Sequence, residues 1–204
     1  MKTKIKICGI RSLESAEIAL NAGADFLGFN FIPTSKRYIS PEKAKEIIDQ
    51  LRIGRYVVVV GVFQNQSVTE VNTIAESVGL DFVQLHGEET MEYMKQVKRE
   101  IINTITEREI PRINDQLRNT QTKYFLLDRQ TQGEGEMVSF ESAKVIAKQC
   151  LLFFAGGVTP ENVGTVISEI HPFAVDVASG VETHGVIDPE KLVLFMQNAK
   201  GVTL

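Results

Sequence analysis

The chain has no tryptophan and only two cysteines, Cys8 and Cys150, with no C-x-x-C and no Cys/His cluster. That excludes a disulfide framework and a zinc centre. So little cysteine fits a reducing cytoplasm, where a free thiol at Cys8 persists. No apolar run approaches the ~20 residues that a membrane span requires. The basic N-terminus, Met1-Lys2-Thr3-Lys4, leads into no apolar signal core. A dense Lys/Arg run is also missing. The formal net charge is -4, which offers nucleic acid or an anionic membrane nothing to hold. Any anionic ligand must therefore be gripped locally, by a few Arg or Lys side chains, backbone N–H donors or helix N-termini. Linkers, low-complexity tracts and closely repeating residue patterns are absent too, so residues 1–204 read as one domain with length enough for a substantial core.

What is present is an alternation. Short apolar runs recur at Ile5-Lys6-Ile7-Cys8, Phe26 to Phe31, Val57 to Phe63, Phe82-Val83-Gln84-Leu85, Ile101 to Ile105, Tyr124 to Leu127, Leu151 to Ala155 and Ala174 to Val177. Their Val, Ile and Phe content suits strands buried on both faces. Amphipathic stretches follow them. Ser12 to Ala22 carries Leu13, Ala16, Ala19 and Leu20 at helical spacing and stops at Gly23; Ser67 precedes Val71, Ile74, Ala75 and Val78. Ser40-Pro41-Glu42, Thr159-Pro160-Glu161 and Asp188-Pro189-Glu190 each place a capping residue before a proline suited to the first helical position. Eight strand-then-helix units predict a parallel sheet closed into a single-domain (β/α)8 TIM barrel rather than an open doubly wound sheet. The fifth unit is the least regular, because Pro111 and scattered polar residues blur its helix.

Barrels of this kind carry their chemistry at the C-terminal ends of the strands. The candidate strands end in Cys8-Gly9, in Ser35-Lys36-Arg37-Tyr38 beyond the second, in His86-Gly87, in Asp128-Arg129, in Gly156-Gly157 and in Ala178-Ser179-Gly180. One rim therefore collects a base candidate, an acid candidate, an anion clamp and two glycine-bearing turns.

Those residues carry a resemblance. Lys6-Ile7-Cys8-Gly9-Ile10, Ser35-Lys36-Arg37-Tyr38, Gly61-Val62-Phe63, Gln84-Leu85-His86-Gly87, Leu126-Leu127-Asp128, Ala155-Gly156-Gly157-Val158-Thr159-Pro160-Glu161-Asn162-Val163 and Val175-Asp176-Val177-Ala178-Ser179-Gly180-Val181-Glu182 match, in order, segments of the phosphoribosylanthranilate isomerase family. The resemblance runs from about residue 4 to about residue 198, and it is the ordered set that is specific. It implies an Amadori rearrangement of N-(5-phosphoribosyl)anthranilate in tryptophan biosynthesis, with no metal, nucleotide or redox cofactor. By the same resemblance Cys8 is the general base and Asp128 the general acid. Arg37 binds the anthranilate carboxylate, with Lys36 a solvated neighbour, and Gly156, Gly157, Ser179 and Gly180 hold the phosphate. His86 lines the pocket or orients the site without transferring a proton. A free thiol titrates near about 8.5, so Cys8 needs a shift toward thiolate to act near neutral pH. A carboxyl acid needs the opposite shift, through burial or a neighbouring negative charge such as a Cys8 thiolate. The partner is a small-molecule substrate, and a monomer or a homodimer is compatible with the sequence. His171 and His184 read as surface residues and Cys150 as structural.

Some positions depart from the family's pattern. Gln132-Gly133-Glu134-Gly135 puts an acid where Thr or Ser is usual, in a loop where Gly133 and Gly135 are candidates to close over the substrate. Asn103 stands where Lys is common, Arg11 where Thr is, Ala178 where Ser is, Ile187 where Lys is, and Val138-Ser139-Phe140 replaces Phe-Asp-Trp. Two other readings stay open at this point. One is another sugar-phosphate barrel enzyme, although an epimerase wants metal ligands and paired carboxylates at strand ends. The other is a catalytically silent barrel that binds a phosphorylated ligand or a partner protein, for which Glu134 and Asn103 speak.

Overall fold

A computed structural model of the chain describes residues 2–113, 117, 122–129 and 138–201. The loop positions Gly133, Glu134 and Gly135 lie outside them. Alternating runs become β1 (Lys4–Cys8), β2 (Phe26–Asn30), β3 (Val58–Phe63), β4 (Phe82–Leu85), β5 (Glu100–Ile105), β6 (Tyr124–Leu127), β7 (Leu151–Phe154) and β8 (Ala174–Val177), each within one residue of the expected run at either end. They pair in parallel in chain order, and β8 closes on β1. The expected (β/α)8 barrel is what forms.

Successive side chains of a strand point to opposite faces, and the barrel therefore has two cores. Phe26, Val60, Ile102, Leu126, Phe153 and Ala174 fill its interior. Ile5, Ile7, Leu27, Val59 and Phe125 lie in the outer layer with helix residues such as Ile47, Val71 and Phe195. Phe26, Phe82, Tyr124, Phe153 and Phe173 form an aromatic floor toward the N-terminal ends of the strands. Phe82 meets Tyr124 edge-on at 5.2 Å and Phe26 meets Phe153 at 5.4 Å. Phe26 and Phe153 are buried, which contributes about 1.5–3 kcal/mol each, and Phe82, Tyr124 and Phe173 pack partly buried against them. Asn103 has the phase of Ile101 and Ile105, which pack in the outer layer. It faces the helices, not the barrel mouth, and so gives no support to a silent barrel.

The helices are α1 (Leu13–Ala22), α2 (Pro41–Leu51), α3 (Val68–Val78), α4 (Met91–Met94), α5 (Phe140–Ala147), α6 (Val163–Ile170) and α7 (Pro189–Lys200). Ser40 and Asp188 cap their helices as the sequence predicts, and Ser12 and Ser67 do the same, each side-chain oxygen accepting from a backbone N–H in the first turn. Three expectations need correction. Thr159-Pro160-Glu161 does not start α6, which begins at Val163. Asn162 Oδ1 accepts the Thr159 N–H at 2.8 Å while its Nδ2 donates to the Gly157 carbonyl at 2.8 Å; this holds residues 157–162 as a turn. The fourth connection keeps only the one-turn α4. The fifth carries a 3-10 helix, Glu107–Arg112, around Pro111, which has no N–H for an α-helical bond. None of the described helices is long and apolar enough to cross a membrane.

Candidate active site

Cys8 ends β1 on the inward phase, two residues after Lys6. Lys6 is fully buried, and its ammonium lies 2.8 Å from Asp176 Oδ1 on β8, the residue opposite it in the ladder. Burial works against the ammonium, but Asp176 and then Cys8 outweigh it, and Lys6 sits above its ordinary value. It is therefore a fixed cation beneath the thiol. Cys8 retains some solvent contact, yet burial pushes its thiol up, with Lys6 the main opposing influence and Asp176 adding to the rise. The expected shift toward thiolate is thus reversed in direction, because desolvation outweighs the lysine. The thiol fits here only because β2 offers Gly28 beside it: a Cβ on Gly28 would stand 2.7 Å from Cys8 Sγ.

Asp128 follows β6. Its Oδ1 accepts the Arg129 N–H at 2.7 Å, and its Oδ2 lies 3.7 Å from His86 Nε2. Burial raises the carboxyl above the usual range, Asp176 adds to this, and His86 and the Arg129 N–H oppose it. An elevated value is what the sequence asks of an acid. Burial, one of the two expected causes, is the main one, and the neighbouring negative charge that adds to it is Asp176 rather than a Cys8 thiolate. His86 follows β4; burial lowers its pKa despite Asp128, which keeps the imidazole neutral. Gln84 Nε2 stands 3.3 Å from His86 Nδ1. Thr104 Oγ1 lies 3.4 Å from the same ring nitrogen, and Gln84 Oε1 is buried with no hydrogen-bond partner among the described residues. A cavity of about 180 Å³ opens beside Asp128, walled by His86, Thr104, Thr106 and Arg129.

Arg37, in the loop after β2, lays its stem over Gly9, where a Cβ would fall 2.6 Å from Arg37 Cδ. Glu182 takes its guanidinium in a two-bond grip. Nε donates to Oε1 at 2.7 Å and Nη2 to Oε2 at 2.6 Å. Lys36 is exposed, as expected. The turns after β7 and β8 adjoin. A Cβ on Gly180 would meet the Val158 carbonyl oxygen, and one on Gly156 would stand 2.8 Å from Asp128 Oδ1. Gly157 lies under the Arg129 guanidinium, and Ser179 is exposed at the rim. Ile187, where the family often has Lys, packs in the outer core. His171 and His184 are exposed; Cys150 is half-buried behind α5, and burial pushes its thiol up to about 12.

The fold therefore brings the base candidate, the acid candidate, His86, the cationic clamp and both glycine-bearing turns to one rim. The carboxylate of Asp176 acts on Lys6, Cys8, Arg37, His86 and Asp128 alike. Sequence reasoning passed over Lys6, Asp176 and Glu182 as site residues. A signal existed for the first two, because a lysine and an aspartate inside buried strands, on the inward phase, demand partners.

A sequence model of the family described as N-(5'phosphoribosyl)anthranilate (PRA) isomerase matches residues 5–198. The chain is 40% identical over 205 residues to the N-(5'-phosphoribosyl)anthranilate isomerase of Geotalea uraniireducens, covering 98% of this chain and all of that one (100%). The crystal structure of phosphoribosyl anthranilate isomerase from Thermotoga maritima superposes with a TM-score of 0.88 at 38% identity, over 98% of this chain and 99% of that one. A crystal structure of such an isomerase in complex with reduced 1-(o-carboxyphenylamino)-1-deoxyribulose 5-phosphate gives a TM-score of 0.85 at 36% identity, with the same shares covered, 98% and 99%.

Proposed function

The chain belongs to the N-(5'-phosphoribosyl)anthranilate isomerase family and is an isomerase, and from that premise we propose that it converts N-(5'-phosphoribosyl)anthranilate into 1-(2-carboxyphenylamino)-1-deoxyribulose 5-phosphate with Cys8 as general base and Asp128 as general acid. Asp128 gives its proton to the furanose ring oxygen as the bond from C1 to that oxygen breaks, leaving an iminium ion. Cys8, as thiolate, takes the proton from C2, and the electrons of that C–H bond close the enolamine, which tautomerises to the ketose. What supports this reading is a carboxyl raised by burial and a thiol seated on a buried ammonium at the same rim. Lys6 stabilises the negative charge that Cys8 must carry, and the neutral His86 presents its N–H to the carboxylate that Asp128 becomes. Arg37 binds the anthranilate carboxylate, and Gly156, Gly157, Ser179 and Gly180 cradle the phosphate where glycine lets backbone N–H groups approach closely. Residues 1–204 act as one barrel domain, as a monomer or a homodimer, in the cytoplasm.

The test is loss of anthranilate-type fluorescence when the purified chain meets the substrate; a stable signal would return the chain to the silent-binding reading. Arg37→Ala separates binding from chemistry. A charged hydrogen bond is worth ~1.5–3 kcal/mol, so KM rises about ten-fold or more while kcat changes little. If ligands without the carboxylate bind as well as those with it, Arg37 is not the clamp.

A further inference from the structure

We propose that Glu182 is a positioning residue that aims Arg37 at the substrate carboxylate and thereby sets recognition of that group, an inference that rests on the reading of Arg37 as the clamp. Glu182 opens a small hairpin, β9 (Glu182–Thr183) and β10 (Val186–Ile187), that follows the last barrel strand. Arg37 belongs to the loop after β2. Their side chains meet through two bonds, Nε to Oε1 at 2.7 Å and Nη2 to Oε2 at 2.6 Å. The Glu182 side chain is only 7% exposed, against 29% for Arg37, so the carboxylate is a built part of the rim and the guanidinium still reaches the mouth.

The geometry selects an edge. A planar guanidinium offers two forks, one from Nε and Nη2 and one from Nη1 and Nη2. Glu182 occupies the first, which leaves the second for another carboxylate. The arginine stem cannot swing freely either, because it lies on the Gly9 turn directly after Cys8. A second tie joins the same two loops. Arg11 Nη1 donates to the Lys36 carbonyl at 3.0 Å, and its Nη2 donates to the Gly185 carbonyl in the hairpin. Hairpin and clamp loop are therefore braced on both sides of Arg37 before any ligand arrives. Ordering a long side chain in advance removes that cost from binding. The opposing effect is charge: a carboxylate beside Arg37 weakens its pull on a second anion. The two effects predict opposite signs, and the proposal commits to orientation.

The experiment measures inhibition constants of the reduced product and of its phenylamino counterpart without the carboxyl, on the wild type, Glu182→Ala, Glu182→Gln, Arg37→Ala and the double alanine variant. Thermal melts check folding. Glu182→Ala is expected to weaken the carboxylate ligand about ten-fold and the decarboxylated one less than about two-fold, with kcat reduced less than about three-fold. Glu182→Gln keeps one neutral acceptor and restores part of the loss; it carries the test alone if the alanine variant fails to fold. Adding Arg37→Ala to Glu182→Ala costs no more than Arg37→Ala alone, as residues acting through one another require. Unchanged or tighter binding of the carboxylate ligand by the Glu182 variants, while Arg37→Ala loses it, overturns the proposal. If Arg37→Ala shows no carboxylate dependence, the clamp reading itself fails and the proposal falls with it.

Discussion

Cys8→Ala lowers kcat by roughly two or more orders of magnitude while the protein stays folded, the loss expected when a general base is removed. Folding is spared because the side chain is small, half-buried and at a strand end, so its removal leaves a gap of about one atom. Cys8→Ser is the sharper variant. It restores the volume above Gly28 and a hydrogen-bonding atom over Lys6, yet its hydroxyl does not ionise in the accessible range. A base role makes the serine variant as inactive as the alanine one, whereas a packing role restores it. Fluorescence decay under saturating substrate measures kcat, and circular dichroism with a thermal melt reports the fold. Near-wild-type turnover in either folded variant removes Cys8 from the mechanism.

Asp128→Asn is expected to cost a similar factor, because the amide keeps the shape of the acid and has no proton of that acidity to give. The pH profile adds a qualitative signature. The reacting form needs Asp128 protonated and Cys8 ionised, that is, one proton shared between two groups. Below the raised Asp128 value both groups hold protons, and above the raised Cys8 value neither does. The wild-type profile of kcat/KM is therefore bell-shaped, with its acid limb set by Asp128 and its basic limb by Cys8. In Asp128→Asn only Cys8 still titrates, so the residual activity rises with pH through the Cys8 value and has no basic limb.

Stability moves the other way. A carboxyl whose folded value is raised holds its proton more tightly in the folded state. Its contribution is present below the unfolded value and is lost as pH climbs through the folded one. Above its raised value the ionised, desolvated Asp128 is a burden, so Asp128→Asn should melt higher than the wild type there, with the gain disappearing in acid. An Asp128→Asn protein that is both active and still bell-shaped in kcat/KM would show that another group supplies the proton.

The strands were legible because their signal is local. Val57 to Phe63 and Leu151 to Ala155 are read from residue type alone, and each side of the barrel wall is apolar. Capping residues are equally local, and Ser12, Ser40, Ser67 and Asp188 act where they stand in the chain. The same logic explains the failures. A helix of one turn, Met91–Met94, has no period to detect. The start of α6 depends on the Asn162 side chain, which turns back to Thr159 and Gly157.

The site divides along the same line. Cys8, Asp128, His86, Arg37 and the two glycine-bearing turns could be found because a barrel places the ends of its strands on one rim, and those ends are readable in sequence. Their electrostatic setting was not. Lys6 and Asp176 are 170 residues apart in the chain and meet only because β8 closes on β1 in that register. Glu182 reaches Arg37 across 145 residues through a hairpin that no periodicity announces. Desolvation reversed the shift expected at Cys8, since burial of a strand-end thiol depends on what the neighbouring strands place over it. Residue type and spacing determined the barrel and which side chains end its strands, because backbone preference and apolar periodicity act over a few residues. Closure of the barrel decided their charge states and partners, because Coulomb and solvation energies depend on distances in space rather than along the chain.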